Sequence, residues 1–321
     1  MPAAGASPAS PPPAPPPGEP LDSYRHDPGY LGADHARNER RTWIVTGVCA
    51  VALAAQVAGG LAFHSMALTA NGLHMAAHVA AMGTAAGAYG FARRYAGDPR
   101  FAFGTGKVGY LAGFANAVVL GVVAVLIAIE SATRLIRPEA VDYDSALVLG
   151  AAGLAVTLVC MALLKPGKRA GGHDPDGDLN IAAAHLHLTA DAAVGLLAIA
   201  GLAAGRSLGW TWADPAAGLA GAALVAQFSA GLIRRAAGAL LDITPSQALA
   251  EEIRRRLEDP DGRVLDLHLW RLGPGRFAAL ATVVAPHATT EMLRDRLTGL
   301  AALSHVTIEL RSGGEQGHGP H

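Results

Sequence analysis

The sequence predicts an α-helical integral membrane protein with six transmembrane helices and a small C-terminal α+β domain in the cytoplasm. Three observations support this fold class. Of the 321 residues, 51% are apolar and only 16% are charged, whereas an ordinary soluble domain carries roughly 25% charged residues. The apolar residues are gathered into long stretches, and the composition changes after Ile243. These properties make a soluble enzyme an unfavourable interpretation.

Six apolar stretches, separated by short polar segments, are each about as long as the ~20 residues that cross a hydrocarbon core. One such stretch could be the core of a soluble protein, but six in succession are typical of membrane spans. The predicted spans are Thr42–Phe63, Met66–Phe91, Val108–Leu135, Ser145–Leu164, Asn180–Ala204 and Trp212–Ile233.

The basic residues predict the orientation of these spans, because lysine and arginine accumulate on the cytoplasmic side. With the N-terminus in the cytoplasm, twelve basic residues flank the cytoplasmic ends, against Arg134, Arg137 and Arg206 outside. Residues 1–20 contain nine prolines and no basic residue, which is typical of a disordered segment rather than a signal peptide. We therefore predict a disordered cytoplasmic leader at 1–35, a membrane domain at 36–242 and both termini in the cytoplasm.

The segment after the last span predicts a small domain over 243–312. A helical mix of apolar and charged residues is followed by alternating, strand-like patterns on either side of Gly273-Pro-Gly. The predicted elements are a helix at Pro245–Leu257, strands at Val264–Arg271 and Arg276–Ala285, a helix at Thr289–Leu300 and a strand at Val306–Leu310. This α-β-β-α-β order predicts helices on one face of a sheet, and we expect residues 313–321 to form a disordered tail.

Charge and cysteine content exclude further classes of function. A formal net charge of −1 excludes a nucleic-acid partner bound through bulk positive charge. Cys49 and Cys160 lie inside apolar runs, so the sequence predicts neither a disulfide framework nor a cysteine zinc knuckle. Thirteen histidines accompany these two cysteines, and we therefore expect nitrogen and oxygen ligands at any metal site.

Ionisable residues inside the predicted spans point to such a site, since they are costly at membrane depth and usually functional. Asp191 is the carboxylate farthest from either end of a span, and His187 precedes it by four residues on the same helix face. His74 and His78 have the same spacing in the second span. Two helices with two donors each can complete a four-ligand shell.

Three imidazoles and one carboxylate suit zinc, cobalt or nickel and are too rich in nitrogen for magnesium or calcium. The alternative is that each histidine separately bonds a neighbouring carbonyl or hydroxyl. A metalloprotease would need the glutamate that His74-Met-Ala-Ala-His78 lacks. A haem would draw its axial histidines from separate helices, so a bare ion is favoured.

With these residues assembled, the chain resembles the cation diffusion facilitators, a family of metal/proton antiporters with six spans and a cytoplasmic ferredoxin-like domain. The resemblance covers roughly residues 36–311, and its motifs are specific in their order rather than singly. They are the His74/His78 pair, Phe103-Gly-Thr-Gly-Lys107, His187-Leu-Thr-Ala-Asp191, Leu241-Asp-Ile-Thr-Pro245, Asp266-Leu-His-Leu-Trp270 and His305-Val-Thr-Ile-Glu309.

The resemblance implies that His74, His78, His187 and Asp191 bind the transported cation, with Asn71 as a further candidate. The segment from Arg25 to Trp43 resembles the bacterial cobalt/nickel-efflux subgroup. Many zinc carriers of the family have aspartate where this chain has His78, and this departure also favours cobalt or nickel, with zinc as an alternative cargo. No permanently bound cofactor is implied.

Other family positions are matched less completely. Of three usual ligands of a second site after the second span, only Asp98 has a counterpart, since Phe101 and Thr105 replace histidines, and we expect no such site. His268 and His305 fall on or beside metal-binding positions of relatives, but we expect them to be ordinary surface histidines. The loop after the fourth span has only His173 with Asp174, Asp176 and Asp178.

The resemblance also implies a homodimer in the inner membrane of a bacterium. Lys107 and Asp242 match a pair that locks the halves of this dimer, while a snorkelling lysine and a solvated aspartate are the ordinary alternative. Histidine and aspartate must lose protons to bind a cation, so we expect a secondary transporter with protons as counter-substrate. His185 is a relay or a polar contact, and we expect the polar contact. A membrane metalloenzyme would need a lone base and a haem protein a bis-histidine face, and the sequence shows neither. A membrane metal sensor that signals through the cytoplasmic domain stays an alternative.

Overall fold

The computed structural model describes residues 35–62, 66–138, 141–164, 179–258, 262–300 and 302–311. Within these ranges, the side chains at positions 56, 59–62, 66–75 and 77 lie outside the description. The predicted leader up to residue 34, the loop with His173 and the tail at 313–321 also lie outside the described residues.

In the described ranges, six long helices precede a small α/β segment. Their bounds are α1 His35–Ala62, α2 Met66–Arg94, α3 Val108–Ile136, α4 Tyr143–Leu163, α5 Leu179–Leu208 and α6 Ala213–Leu240. Four of the helices searched within the described part of the chain, α3 to α6, are long and apolar enough to cross a membrane. A mostly helical protein with apolar candidate spans is therefore confirmed.

The ends of two helices differ from the predicted bounds for physical reasons. Helix α4 begins before the predicted Ser145, because Asp142 caps it and accepts a hydrogen bond from the Ser145 amide at 3.4 Å. Helix α6 continues to Leu240, past the predicted end at Ile233. The last turns of α6 stay helical because Ala236 and Ala239 are buried in a cluster with Tyr110.

The helices pack in two main pairs, α1 with α2 and α3 with α6, and α5 contacts α6, α4 and α3. The backbones of α5 and α6 approach closely near their junction. A Cβ atom at Gly201 would lie only 2.9 Å from Cα of Asp214, so this contact requires glycine. Helix α5 is thereby held between the two pairs, where it also meets α2.

The C-terminal segment begins with α7 at Gln247–Glu258 and continues with β1 Arg263–Gly273, β2 Arg276–Val284, α8 Thr290–Arg296 and β3 Leu303–Arg311. In the described residues, β1, β2 and β3 form one sheet in that order, with β1 antiparallel and β3 parallel to β2. Leu249, Ile253 and Leu293 from the helices are buried with Phe277 and Ala281 from β2. The small C-terminal sheet expected from the sequence is confirmed.

Helix α8 and strand β3 differ in length from their predicted counterparts. Helix α8 stops at Arg296 rather than Leu300, and a turn containing Gly299, at φ 91°, follows it. Strand β3 begins at Leu303 rather than Val306, because Leu303 pairs with Phe277 of β2.

A buried arginine joins the sheet to the helical bundle. Arg271 of β1 is only 3% exposed, and its Nη1 donates to the Tyr110 hydroxyl of α3 at 3.3 Å. The guanidinium lies over the rings of Tyr110 and Phe277, 5.5 and 5.6 Å from their centroids. Such cation–π contacts strengthen when water is excluded, so the small domain is anchored directly to α3.

Candidate metal site

Helices α2 and α5 bring together three of the four side chains that the sequence singles out. His78 projects from α2, and His187 and Asp191 project from α5 one turn apart. One ligand atom from each residue lies within 4.8 Å of the other two. The group thus combines donors from two helices that are distant in sequence.

Both histidines approach the same carboxylate oxygen. Nδ1 of His78 lies 3.4 Å and Nε2 of His187 lies 3.3 Å from Oδ2 of Asp191. The two imidazole rings are nearly perpendicular, with centroids 5.4 Å apart and an interplanar angle of 88°. The rings therefore do not stack, and their nitrogen atoms approach Asp191 from different directions.

These spacings match those of ligands around one small cation. Zinc bonds to nitrogen and oxygen at about 2.0–2.1 Å, so neighbouring ligands of a tetrahedral ion lie about 3.3 Å apart. The two distances to Asp191 already have this length, and the third edge needs only a small approach of α2 and α5. Two neutral imidazoles and one carboxylate are chemically competent to bind zinc, cobalt or nickel.

The site is enclosed by the bundle. The exposed fractions of the side chains are 3% for His78, 11% for His187 and 16% for Asp191. Among the described residues, these three side chains are therefore largely shielded from solvent.

For the remaining predicted ligands, His74 and Asn71, the structure describes only the backbone. His74 lies one helical turn before His78 in the continuous helix α2, but the side chains of His74 and Asn71 lie outside the described residues. The backbone alone puts His74 on the same stripe of α2 as His78.

Two buried asparagines beside the site were not predicted from the sequence, where Asn71 was the only amide considered. Nδ2 of Asn180 in α5 donates to the Ala85 carbonyl at 2.8 Å, and Nδ2 of Asn116 in α3 donates to the Ala81 carbonyl at 3.2 Å. Both bonds hold α2 within two turns of His78. Their signal in the sequence was an amide inside an apolar stretch, which is costly in lipid unless it is bonded.

His185 lies on a different part of α5 from the three clustered donors. Its Nδ1 is 3.5 Å from the Thr189 hydroxyl, which also contacts the sulfur of Met161 in α4 at 3.6 Å. The structure thus gives His185 a polar contact towards α4, outside the cluster of His78, His187 and Asp191.

The residues after α2 that correspond to a second site have other contacts. Asp98 forms an ion pair with Arg100 at 2.7 Å, and bonding to Arg100 lowers the pKa of this carboxyl. The ring of Phe101 packs against Phe91, while the buried Thr105 hydroxyl donates to the Ala92 carbonyl at 2.7 Å. Asp98 is therefore already neutralised by a neighbour.

The two histidines of the small domain lie on one sheet face but on different strands. His268 of β1 contacts Asp266 at 2.7 Å, and His305 of β3 contacts Thr307 at 3.3 Å. Because β2 lies between their strands, the histidine backbones are roughly 10 Å apart. This separation gives them separate surroundings.

Lys107 and Asp242 meet at one end of the α3–α6 pair. Nζ of Lys107 lies 2.5 Å from Oδ1 of Asp242, with side chains 30% and 50% exposed. Asp242 has φ 56°, a left-handed conformation that aspartate tolerates better than most residues. The Ile243 amide then donates back to the Gly238 carbonyl at 3.0 Å, so the end of α6 positions the carboxylate.

The arrangement of long apolar helices around buried polar donors defines an integral membrane protein. Residues 42–241 match the family description "Cation efflux transmembrane domain". The chain belongs to the cation diffusion facilitator family.

Three curated relatives cover most of this chain. The cation efflux system protein CzcD of Alcaligenes sp. (strain CT14) is 30% identical over 87% of this chain and 90% of its own length. The zinc transporter ZitB of Escherichia coli (strain K12) is 30% identical over 93% and 94%. The cadmium, cobalt and zinc/H(+)-K(+) antiporter of Bacillus velezensis is 27% identical over 79% and 82%.

Proposed function

We propose that this protein exports a divalent metal cation from the cytoplasm in exchange for protons. The observation that carries the proposal is the convergence of His78 and His187 on one oxygen of Asp191, enclosed between α2 and α5. His74 supplies the fourth ligand from the preceding turn of α2. Family membership and the names of the relatives support a transport role rather than an enzymatic one.

Zinc is the cargo that these findings favour. One relative is named a zinc transporter, and another is named for cadmium, cobalt and zinc. The donor set suits zinc as well as cobalt. The relatives therefore favour zinc over the cobalt/nickel preference inferred from the sequence, with cobalt as a second cargo.

Proton exchange follows from the chemistry of the ligands. Histidine and aspartate bind a cation only in their deprotonated forms, so binding a cation displaces protons and protonation releases the cation. Two imidazoles and one carboxylate leave one positive charge uncompensated on a divalent ion, which is costly inside a membrane. This charge favours release once the ligands face an acidic exterior.

The transport cycle requires two conformations of the bundle. The enclosed ligands need α2 and α5 to open towards the cytoplasm for loading and towards the exterior for release. All six long helices span the membrane in this proposal, with domain limits at 36–242 and 243–312 and both termini in the cytoplasm. The asymmetric distribution of lysine and arginine supports this orientation.

The assembly is a homodimer in the plasma membrane of a bacterium, and the small domain is ferredoxin-like. Its helix-strand-strand-helix-strand order and mixed sheet support that description. The Lys107–Asp242 pair closes the α3–α6 pair within each chain, and we assign it the role of holding the membrane halves of the dimer together.

The decisive experiment measures proton flux in proteoliposomes that contain the purified protein and a pH-sensitive dye. In the wild type, zinc added on the side of the small domain should cross the membrane and drive protons in the opposite direction. Asp191→Asn and His187→Ala should abolish this zinc-dependent flux. His185→Ala is the matched control, because it removes a histidine from the same helix outside the cluster, and it should retain the flux.

The outcomes separate the alternatives. Wild-type exchange rates in both Asp191→Asn and His187→Ala would refute the site assignment. Zinc binding without proton or zinc flux in the wild type would instead favour a membrane metal sensor. In a sensor, the contact between Arg271 and Tyr110 would transmit the signal from the helical bundle to the small domain.

A further inference from the structure

The two cysteines of the chain, far apart in sequence, meet inside the helical bundle. Sγ of Cys49 in α1 lies 3.7 Å from Sγ of Cys160 in α4, and 111 residues separate them. The residues are 2% and 0% exposed, respectively. The proposed transport mechanism uses neither thiol, and their position in two apolar stretches gave no reason to pair them.

The distance between the sulfur atoms suits a bound metal ion. Thiolate–zinc bonds are about 2.3 Å long, so two sulfur ligands of one tetrahedral ion lie about 3.8 Å apart. A disulfide would require an approach to about 2.05 Å, whereas a bridging cation leaves α1 and α4 almost where they are. The same contact is a hydrogen bond between the two thiols, which a bridging cation would replace at almost the same spacing.

The surroundings are also rich in sulfur. The cluster that buries both cysteines contains Met82, which is 0% exposed, and Met161 packs against it. Thiolate and thioether ligands select soft cations over hard ones. The Thr189 hydroxyl lies 3.6 Å from the sulfur of Met161, so a polar group already contacts this thioether.

Charge balance favours the same class of ligand. Two thiolates neutralise a divalent cation completely, and a neutral complex is far less costly to bury among apolar side chains than an ion with residual charge. The cluster includes Val45, Leu164 and Leu188. A neutral complex of two thiolates with a +2 ion fits this apolar environment better than a charged complex of two histidines with the same ion.

The cysteine pair lies close to the histidine–aspartate cluster. Met82 follows His78 by one turn on the same stripe of α2, and Leu188, which follows His187 in α5, is buried in the same cluster as both cysteines. A cation held by sulfur would therefore lie in the same part of the bundle as the transport ligands.

We propose that Cys49 and Cys160 bind a soft divalent cation of the cadmium class as two thiolates, at a second site next to the transport site. On binding, two sulfur–metal bonds form and two thiol protons are released to solvent. Sulfur ligands bind soft cations more strongly than nitrogen and oxygen ligands do, so the site adds affinity for cadmium to that of the histidine and aspartate ligands. This proposal does not depend on proton-coupled export.

The test uses the purified full-length protein in detergent with a non-thiol reductant and cadmium as the probe. Cadmium should produce the ultraviolet charge-transfer absorption of a sulfur–cadmium bond, saturating at one such ion per chain. Cys49→Ser and Cys160→Ser should each lose it, because the chain has only two cysteines. Asp191→Asn should retain it, which separates this site from the transport site.

X-ray absorption of cadmium bound to the wild type decides the matter even where a serine variant fails to fold. Two sulfur neighbours around cadmium are the expected result. A shell of nitrogen and oxygen alone, or no charge-transfer absorption on saturation with cadmium, would overturn the proposal. Zinc-dependent proton flux is measured separately and does not depend on either result. Failure of the cysteine-site proposal is therefore distinguishable from failure of the proposed transport function.

Discussion

Nζ of Lys107, which precedes α3, lies 2.5 Å from Oδ1 of Asp242, which follows α6, across 135 residues of sequence. The contact closes one end of the α3–α6 pair within a single chain. It depends on the left-handed backbone of Asp242, which directs the end of α6 back towards α3.

A double-mutant cycle at this pair should give a small coupling energy. Both side chains are substantially exposed, and exposed ion pairs contribute about 0.2–1 kcal/mol. Lys107→Ala and Asp242→Asn, singly and together, are compared by unfolding in detergent, since asparagine also tolerates the left-handed backbone. Additive effects would show that the pair does not stabilise the chain. A shift from dimer to monomer in Lys107→Ala, seen by light scattering, is expected from the proposed locking role.

Zinc affinity should depend more on Asp191 than on either described histidine. Both imidazole nitrogens face the same oxygen of Asp191, so its loss removes the centre of the arrangement. Loss of an outer-shell partner of a metal ligand weakens binding by about 10–100-fold, and we expect Asp191→Asn to exceed about 100-fold. Calorimetric titration of zinc into the purified protein measures this. A larger loss in His187→Ala than in Asp191→Asn would contradict the geometry.

Asn180 should hold α2 in place for metal binding. Its bond to the Ala85 carbonyl is buried, and losing a hydrogen bond of this kind costs about 1 kcal/mol. Asn180→Leu keeps the volume roughly constant and should lower both the melting temperature and the zinc affinity. Thr84→Ala is the control, because that hydroxyl only bonds back to its own helix at an exposed position. Equal melting temperatures and zinc affinities in Asn180→Leu and Thr84→Ala would show that Asn180 does not support the metal site.

Acid should weaken the small domain through Glu252. Bonding to Arg255 and Arg256 lowers the pKa of this carboxyl below its ordinary value of 4.5. The folded domain therefore keeps Glu252 ionised at a pH where the unfolded chain protonates it. This stabilisation is complete above about pH 4.5 and disappears as the pH falls through the lowered folded pKa.

The measurement compares the melting temperature of wild type and Glu252→Gln over a range of pH. At neutral pH the wild type should melt at the higher temperature, and the difference should vanish in acid. Arg256 also donates to the Arg296 and Thr298 carbonyls at 3.2 and 3.3 Å, so a loosened Arg256 would weaken the contact between α7 and α8. A difference that grows towards low pH would contradict the ion-pair explanation.

Orientation can be read from two single-residue labels. Ser207 near the end of α5 and Thr244 after α6 are both exposed. In the proposed topology, a membrane-impermeant thiol reagent applied to intact cells should label Ser207→Cys and not Thr244→Cys. The native cysteines are buried and give little background. Labelling of Thr244→Cys alone would reverse the orientation.

Much of the helical framework could be read from the chain, because membrane helices are encoded by long apolar stretches. The predicted third span, Val108–Leu135, differs from α3 by one residue at its C-terminal end. Helix ends were harder to predict, as at α6, because burial of Ala239 rather than local polarity decides where that helix stops. The elements of the small domain also follow their local patterns.

The sequence by itself determined the chemistry available to the site and its local spacing. Four residues separate His187 from Asp191, so any α-helix places them on one face. The tertiary structure alone decided that α2 meets α5, that Cys49 meets Cys160 and that Asn180 bonds to α2. Lipid and protein interior are equally apolar, so hydrophobic pattern does not specify which helices are neighbours. Close packing and side-chain hydrogen bonds specify them instead, and these exist only in the folded chain.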